Sequence, residues 1–236
     1  MVAVRLSKSR LMCYMNCPYQ FKRYYIDGFQ RPPSKHMEWG KKVHESIAKF
    51  YQVSKSAGEI RTDFMEPNVL SYLRAFVDRE KKRFAEFEMQ KIAGSFFPII
   101  VEREFNCKKY NIHGIIDAIF RDQNGLRLTD FKTGGVDAIK IKDVRNELIF
   151  YKFLFENSDG IEGKLKIQTI EASFVAMDKR YLFDDKQMTL KGFDVFLGNI
   201  SSQIDGGVFP KRYNRWCFNC DFRKECNIDR SEAKAL

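Results

Sequence analysis

The sequence predicts an α/β fold: a central mixed β-sheet with helices on both faces. Three observations carry that expectation. Helical patterns fill much of the first ninety or so residues, over 7–26, 41–57 and 67–91. Three short apolar stretches then follow at 98–107, 112–120 and 126–132, parted by turn sequences. A further helix, one more strand and a last helix complete the chain. Helices before and after a strand meander, with another strand beyond, need a sheet covered on both sides.

Taken in order, residues 7–26 read as a broken helical pair, opened by Ser7 and interrupted at Pro18, which has no N–H to donate. RPPSKHMEWG (31–40) reads as a loop whose prolines and Gly40 mark a boundary. The helix 41–57 carries Val43, Ile47, Phe50 and Tyr51 on one face, with His44 beside it. A long charged helix runs from Pro67, suited to a first turn, to Lys91, with Leu70, Leu73, Phe76, Val77, Phe84 and Phe87 as its apolar stripe. KKYN (108–111) and RDQNG (121–125) turn the three strands of the meander. Asp143 opens a helix over 143–156, on which Glu147 and Tyr151 share a face. TIEASFVAM (169–177) is a strand and 186–204 a helix. With no repeat or low-complexity segment, residues 1–236 are expected to form a single domain: a helical part about 1–95, a sheet core about 96–180, and a C-terminal helix and cysteine segment about 181–230.

The 236 residues, 44% hydrophobic and 31% charged, are those of a soluble globular protein with a full core. No run of about eighteen apolar residues exists, so no membrane span is expected. MVAVRLSKSRLMC lacks the apolar stretch of a signal peptide, and a cytoplasmic location is expected. The net charge of +10, from 41 basic and 31 acidic residues, favours a polyanionic partner, since each phosphate neutralised releases a counterion. Basic and aromatic residues interleave in two places: Tyr19, Phe21, Lys22, Arg23, Tyr24 and Tyr25, and Lys211, Arg212, Tyr213, Arg215 and Trp216. Such mixtures suit single strands, where bases stack and phosphates pair. For the first cluster a core-facing aromatic stripe on a helix is the stronger reading, and for the second the two readings stand equal.

The chemistry centres on GIIDAIF (114–120) and LTDFKTG (128–134). Asp130 and Lys132, two apart on a strand, point one way while Phe131 points into packing. The 121–125 turn brings Asp117 beside them. An Asp-x-Lys pair is commonly a solvated ion pair. Here Ile115, Ile116, Ile119, Phe120, Leu126, Leu128 and Phe131 surround the charges, and a buried carboxylate needs a partner or a metal. Two carboxylates and an ammonium at one spot are the minimum equipment for metal-assisted phosphodiester hydrolysis.

Cys217, Cys220 and Cys226 stand at C-x2-C-x5-C spacing, which in a cytosolic chain reads as metal or cluster ligation rather than disulfides. A fourth ligand must come from elsewhere. Cys17, before the helix-breaking Pro18 at what reads as an exposed turn, is the first choice and Cys13 the second, while Cys107 reads as a small buried hydrophobe. Sulfur-only ligation fits an iron–sulfur cluster or zinc.

These segments together resemble the PD-(D/E)XK nuclease superfamily, and within it the RecB-type branch with an iron–sulfur cluster, which includes the AddB nuclease domain and CRISPR-associated RecB-like exonucleases. The resemblance rests on Cys17-Pro18, Gly40-x3-His44, Gly114-x2-Asp117, Asp130-Phe131-Lys132-Thr133-Gly134 and Cys217-x2-Cys220-x5-Cys226, in that order. It implies a restriction-endonuclease-like core and a 4Fe-4S cluster joining the N- and C-terminal segments through Cys17, Cys217, Cys220 and Cys226. It implies that His44, Asp117, Asp130 and the Phe131 backbone carbonyl ligate one Mg²⁺ or Mn²⁺, with Lys132 positioning the water and Glu102 or Glu104 as outer carboxylates. Such proteins usually carry a glutamine and a tyrosine four residues apart on the next helix. Here Glu147 stands at the glutamine position and Tyr151 at the tyrosine position, so Glu147 either binds the metal or weakens the approach of DNA.

The function so implied is a metal-dependent DNA exonuclease, with endonuclease activity compatible, acting on single strands or DNA ends and trimming DNA for CRISPR spacer acquisition beside an integrase complex. A repair or virus-encoded nuclease of the same fold is an alternative. The chain has no GxxxxGK[ST] motif, so any unwinding belongs to a partner. Rings are known among relatives, and a homo-oligomer is compatible with them. The competing class is a non-catalytic nucleic-acid-binding adaptor stapled by its metal cluster, which has no need of Asp117, Asp130 and Lys132 together.

Overall fold

The computed structural model describes residues 4–90, 96–184 and 188–227. Ser7 caps the first helix, α1 (Lys8–Asn16), its hydroxyl accepting from the Arg10 N–H. Cys17 is extended and serves as the C-cap of α1 and N-cap of α2 (Pro18–Phe21), which runs on into a π-helical turn, Lys22–Ile26. Pro18 thus sits where a missing N–H costs nothing.

Helix α3 spans Lys35–Ala57. It begins six residues before the expected start because Ser34 caps it, accepting from Met37 N–H at 3.3 Å, so most of the expected 31–40 loop is helical. Gly40 lies inside the helix, a tolerated interruption. The long helix expected from Pro67 is divided at Leu73 into α4 (Pro67–Tyr72) and α5 (Arg74–Gln90), and nothing in the local sequence explains the break. Its expected last residue, Lys91, lies outside the described residues.

Five strands follow as one sheet: β1 (Ile100–Cys107), β2 (Ile112–Asp122), β3 (Gly125–Lys132), then, beyond α6 (Ala138–Glu156), β4 (Ile167–Phe174) and β5 (Lys179–Asp184). Spatial order equals chain order. β3 pairs antiparallel with β2 and parallel with β4, and β5 pairs antiparallel with β4, so the sheet is mixed as expected. The parallel step requires the crossover that α6 supplies. β5 was not expected; a turn at Asp178, in left-handed conformation (φ +47°), folds the chain back to make it. The last expected helix begins later, as α7 (Phe193–Asp205), with residues 186–187 outside the described ones. A 3-10 turn, Cys217–Asn219, and the short α8 (Arg223–Cys226) end the described chain. Among the described residues no helix is long and apolar enough to cross a membrane.

The chain packs as two compact units. One is drawn from the spans Met1–Pro32, Cys107–His113 and Lys191–Leu236. Tyr14 is central to it: its ring meets Phe21 edge-on and its hydroxyl donates to the Val208 carbonyl at 2.8 Å. The other, Pro33–Asn106 and Gly114–Leu190, holds the segments 114–120 and 128–134. Its core joins Val43, Ile47, Phe50 and Tyr51 of α3 to Phe76 and Val77 of α5 and to Phe120 and Phe131 of the sheet. Tyr51 lies nearly parallel to Phe131 and edge-on to Phe120, and Phe76 meets Phe131 edge-on. The Tyr51 hydroxyl is satisfied by buried Glu80, which Arg79 and Arg83 neutralise. This aromatic packing fixes both the helix bearing His44 and the strand bearing Asp130 and Lys132.

Candidate active site

Four elements converge. His44 stands on α3 next to buried Val43; Asp117 is on β2, Asp130 and Lys132 on β3, Glu147 and Tyr151 on α6. Phe131 points into the core, 4% exposed, so its neighbours Asp130 and Lys132 face the other way, as strand alternation requires.

His44 Nδ1 lies 3.4 Å from Glu102 Oε1 and 3.4 Å from Asp117 Oδ2. The three ligand atoms all lie within 4.8 Å of one another, and among the described residues this is the one such group of His, Cys, Asp or Glu. One nitrogen and two carboxylate oxygens suit Mg²⁺ or Mn²⁺. The Phe131 N–H donates to Asp117 Oδ2 at 2.7 Å, which aims the carboxylate. Glu102 joins the group through an irregularity in β1: its φ is +41°, and the exposed run 102–104 breaks strand alternation. Glu104 is exposed and outside the group.

Beside it, Lys132 Nζ is 2.9 Å from Asp130 Oδ2 and 2.8 Å from Glu147 Oε2. Burial alone would push this ammonium toward neutrality, but the Asp130 and Glu147 charges outweigh it and hold the pKa above the usual lysine value. Burial would likewise depress His44, yet hydrogen bonds to Asp117 and Glu102 carry it up to about 10. Burial, then the charges of Asp130, Asp117, Glu147 and Glu102, pushes the Tyr151 phenol far up, so it is a hydrogen-bond donor and not a base. Of the expected metal ligands, His44 and Asp117 stand together with Glu102, whereas Asp130 turns to Lys132 and lies outside that group. The signal that could have ranked Glu102 above Glu104 is a backbone irregularity, which no residue-type pattern announces.

The cysteines form a second locus. Cys17, Cys217, Cys220 and Cys226 line one cavity of about 380 Å³, and among the described residues no three of their sulfurs lie within 4.8 Å of one another. Cys17 is buried, at 8%, rather than on an exposed turn, because it is clamped as the shared cap of α1 and α2. Cys13 is not in the lining; its thiol meets Gln20 Oε1 at 4.0 Å, and burial, then the Cys17 and Cys220 thiols, push its pKa up to about 12. Cys107 is buried in β1, as a small hydrophobe would be.

The basic–aromatic clusters differ. Lys22 and Arg23 pair with Asp27, Arg23 also with Glu225, and Tyr24 donates to Asp221 at 2.7 Å while its ring packs on Phe222. In the second cluster Lys211 bonds the Cys226 carbonyl and Arg212 the Met15 carbonyl, and Tyr213 is half-buried. Arg215 lies over the Trp216 ring, which is 55% exposed.

Residues 5–227 match the PD-(D/E)XK nuclease superfamily. The chain belongs to that superfamily. Its members are nucleases that use divalent metals, so the acidic group on α3, β1 and β2 is a candidate metal site of a nuclease acting on nucleic acid. No curated protein matches the chain. Among solved structures it is similar to "Crystal structure of SSO0001", with 17% identity, covering 94% of this chain and 85% of that one at a TM-score of 0.40.

Proposed function

We infer that the protein is a divalent-metal-dependent deoxyribonuclease working as an exonuclease on single-stranded DNA or DNA ends. The observation that carries this reading is the His44–Glu102–Asp117 group within 4.8 Å, set in one unit with the Asp130–Lys132–Glu147 charge chain. A hydrolase has a use for this set of charges that a binding protein does not have. A bound Mg²⁺ or Mn²⁺ would supply charge neutralisation for the scissile phosphate and acidify a bound water. His44, Glu102 and Asp117 would hold it, with Asp130 and the Phe131 carbonyl as further ligands. Lys132, held as an ammonium by the charges of Asp130 and Glu147, would orient water and offset charge on the phosphate. Tyr151, protonated as well, donates a hydrogen bond toward the phosphate or nucleophile.

The sulfur-only donor set of Cys17, Cys217, Cys220 and Cys226 around one cavity supports a 4Fe-4S cluster, with Zn²⁺ as the alternative. A role in trimming DNA for CRISPR spacer acquisition, rather than repair or viral DNA processing, rests on the resemblance of the whole motif series. Exposed Trp216 under Arg215 supports single strands as substrate, since a ring open to solvent offers a base a stacking face.

The test is cleavage of end-labelled single- and double-stranded DNA by anaerobically purified protein in Mn²⁺, Mg²⁺ or EDTA, beside Lys132→Ala. Metal-dependent cutting that Lys132→Ala lacks is the expected result, and the label position gives polarity. DNA binding with no cutting under any metal would move the protein to the adaptor class.

A further inference from the structure

Among the described residues, Glu147 is the acidic partner of Lys132 that stands outside the His44–Glu102–Asp117 group and off the strand that carries Asp130 and Lys132. It comes from α6, and its Oε2 lies 2.8 Å from Lys132 Nζ. A lysine ends in a point charge on four rotatable carbons, so one partner on its own strand does not fix where the ammonium rests. Asp130 is such a partner, two residues away on β3. Glu147 adds a second anchor from another element, and two anchors at 2.9 and 2.8 Å define a position. The Lys132 and Asp130 side chains are only 16% and 8% exposed, so this is not the solvated kind of ion pair that contributes little.

The same carboxylate has an electrostatic consequence. Glu102, Asp117, Asp130 and Glu147, ionised, bring four negative charges to the site, whereas Lys132 and one divalent cation offset three. An uncharged residue at 147 would leave the site neutral. The charge that Glu147 brings opposes an incoming phosphate.

We propose that Glu147 is the positioning residue of Lys132, fixing its ammonium beside Asp130 while its own charge weakens the hold on the DNA phosphate. The proposal rests on the nuclease reading above and concerns this chain's own residues rather than the metal. It separates two quantities that a merely structural residue would move together. Glu147→Gln keeps the shape and one hydrogen-bond acceptor but loses the charge: it binds DNA more tightly and cuts bound DNA more slowly. Glu147→Asp keeps the charge but shortens the reach: DNA affinity stays at the wild-type value while cutting slows.

The experiment uses the full chain in wild-type, Glu147→Gln, Glu147→Asp and Asp117→Asn forms, each checked for its melting temperature. Binding of labelled single-stranded DNA is measured in Ca²⁺, Mn²⁺ binding by direct titration, and cutting in Mn²⁺ under single turnover. Glu147→Gln is expected to bind DNA up to about fivefold tighter, the effect of one partly screened charge. Its cutting step falls about tenfold as a transition-state contact is loosened, and its Mn²⁺ affinity is unchanged. Wild-type cutting rate and DNA affinity in Glu147→Gln would overturn the proposal, and so would a loss of Mn²⁺ affinity as large as that of Asp117→Asn, which would make Glu147 a metal ligand. If the wild-type protein does not cut, the nuclease reading itself falls and the positioning role with it; if it cuts and the variants match it, only the proposal falls.

Discussion

A Cβ on Gly114 would come within 3.1 Å of Leu154 Cδ2 and 3.2 Å of Tyr151 Cε1, closer than side chains in contact ordinarily stand. The glycine of GIIDAIF is therefore a matter of space: it lets β2 press against α6 so that Tyr151 reaches the carboxylates. Gly114→Ala should cost about 1–2 kcal/mol by overpacking and should slow cleavage by displacing Tyr151. Chemical denaturation and a cleavage assay check the two halves; cleavage untouched by a destabilised variant would detach Tyr151 from the reaction. At the metal group the arithmetic is mass action. A ligand at a hundredfold excess over its Kd stabilises the folded protein by about 2.7 kcal/mol, so Mn²⁺ should raise the melting temperature of the wild type. Asp117→Asn, which keeps an acceptor for the Phe131 N–H, should fold but lose that rise. Because His44 holds a proton up to about 10 when no metal is bound, the cation must displace it, and the rise should grow with pH over the range below that value. A rise independent of pH would take His44 out of the ligand set. The residue types at this site were legible in the sequence, since buried carboxylates and a lysine at strand spacing have few other uses. Which carboxylates share a cation was not, because Asp130 turns to Lys132 while Glu102 turns to His44, and both depend on the neighbouring element.

At the scale of the element, β1 is the instructive case. Glu102 holds φ at +41°, a conformation that costs a non-glycine residue of order 1–3 kcal/mol. That strain turns its carboxylate to His44. Two substitutions separate strain from ligation. Glu102→Gly should relieve the backbone and raise stability in the absence of metal by about 1 kcal/mol, within that same range, while weakening Mn²⁺ binding. Glu102→Gln should weaken Mn²⁺ binding with no gain in stability. Equal stabilities for the two variants, read by thermal denaturation in EDTA, would show the backbone to be relaxed. The periodicities that revealed β1, β2 and β3 are apolar patterns, and they carry no trace of such a local departure. β5 escaped for a related reason. Its apolar residues, Tyr181, Leu182 and Phe183, form a run of three without alternation in a strand of six, and the turn that makes the hairpin uses Asp178 at positive φ instead of glycine. The start of α3 was hidden by two prolines and a glycine around Ser34, where a single cap outweighs the surrounding loop signals.

Over the whole molecule, the two sets of candidate ligands fall in different units. Oxygen and nitrogen donors meet on the sheet-bearing unit, and sulfur donors gather where segments from the beginning and end of the chain are packed together. A unit built from three separate spans gains most from a crosslink, since closing a long loop removes much conformational freedom from the unfolded chain. The sequence ranked Cys17 ahead of Cys13 for the fourth thiolate, on the helix break at Pro18, with the two only four residues apart. The cavity favours Cys17, which lines it with Cys217, Cys220 and Cys226, whereas the Cys13 thiol faces the Gln20 amide and is held protonated by burial. If the four thiolates carry the cluster proposed above, anaerobically purified Cys17→Ser, Cys217→Ser, Cys220→Ser and Cys226→Ser should each lose iron and visible absorbance, and Cys13→Ser should keep both. The loss should lower thermal stability while leaving Mn²⁺ titration of the His44 group intact, since the two ligand sets share no residue and no element. Iron retained in Cys17→Ser but absent from Cys13→Ser would reverse the assignment. Zinc in place of iron in the wild type would leave the ligand set standing and make the crosslink redox-inert, because zinc holds thiolates without changing oxidation state.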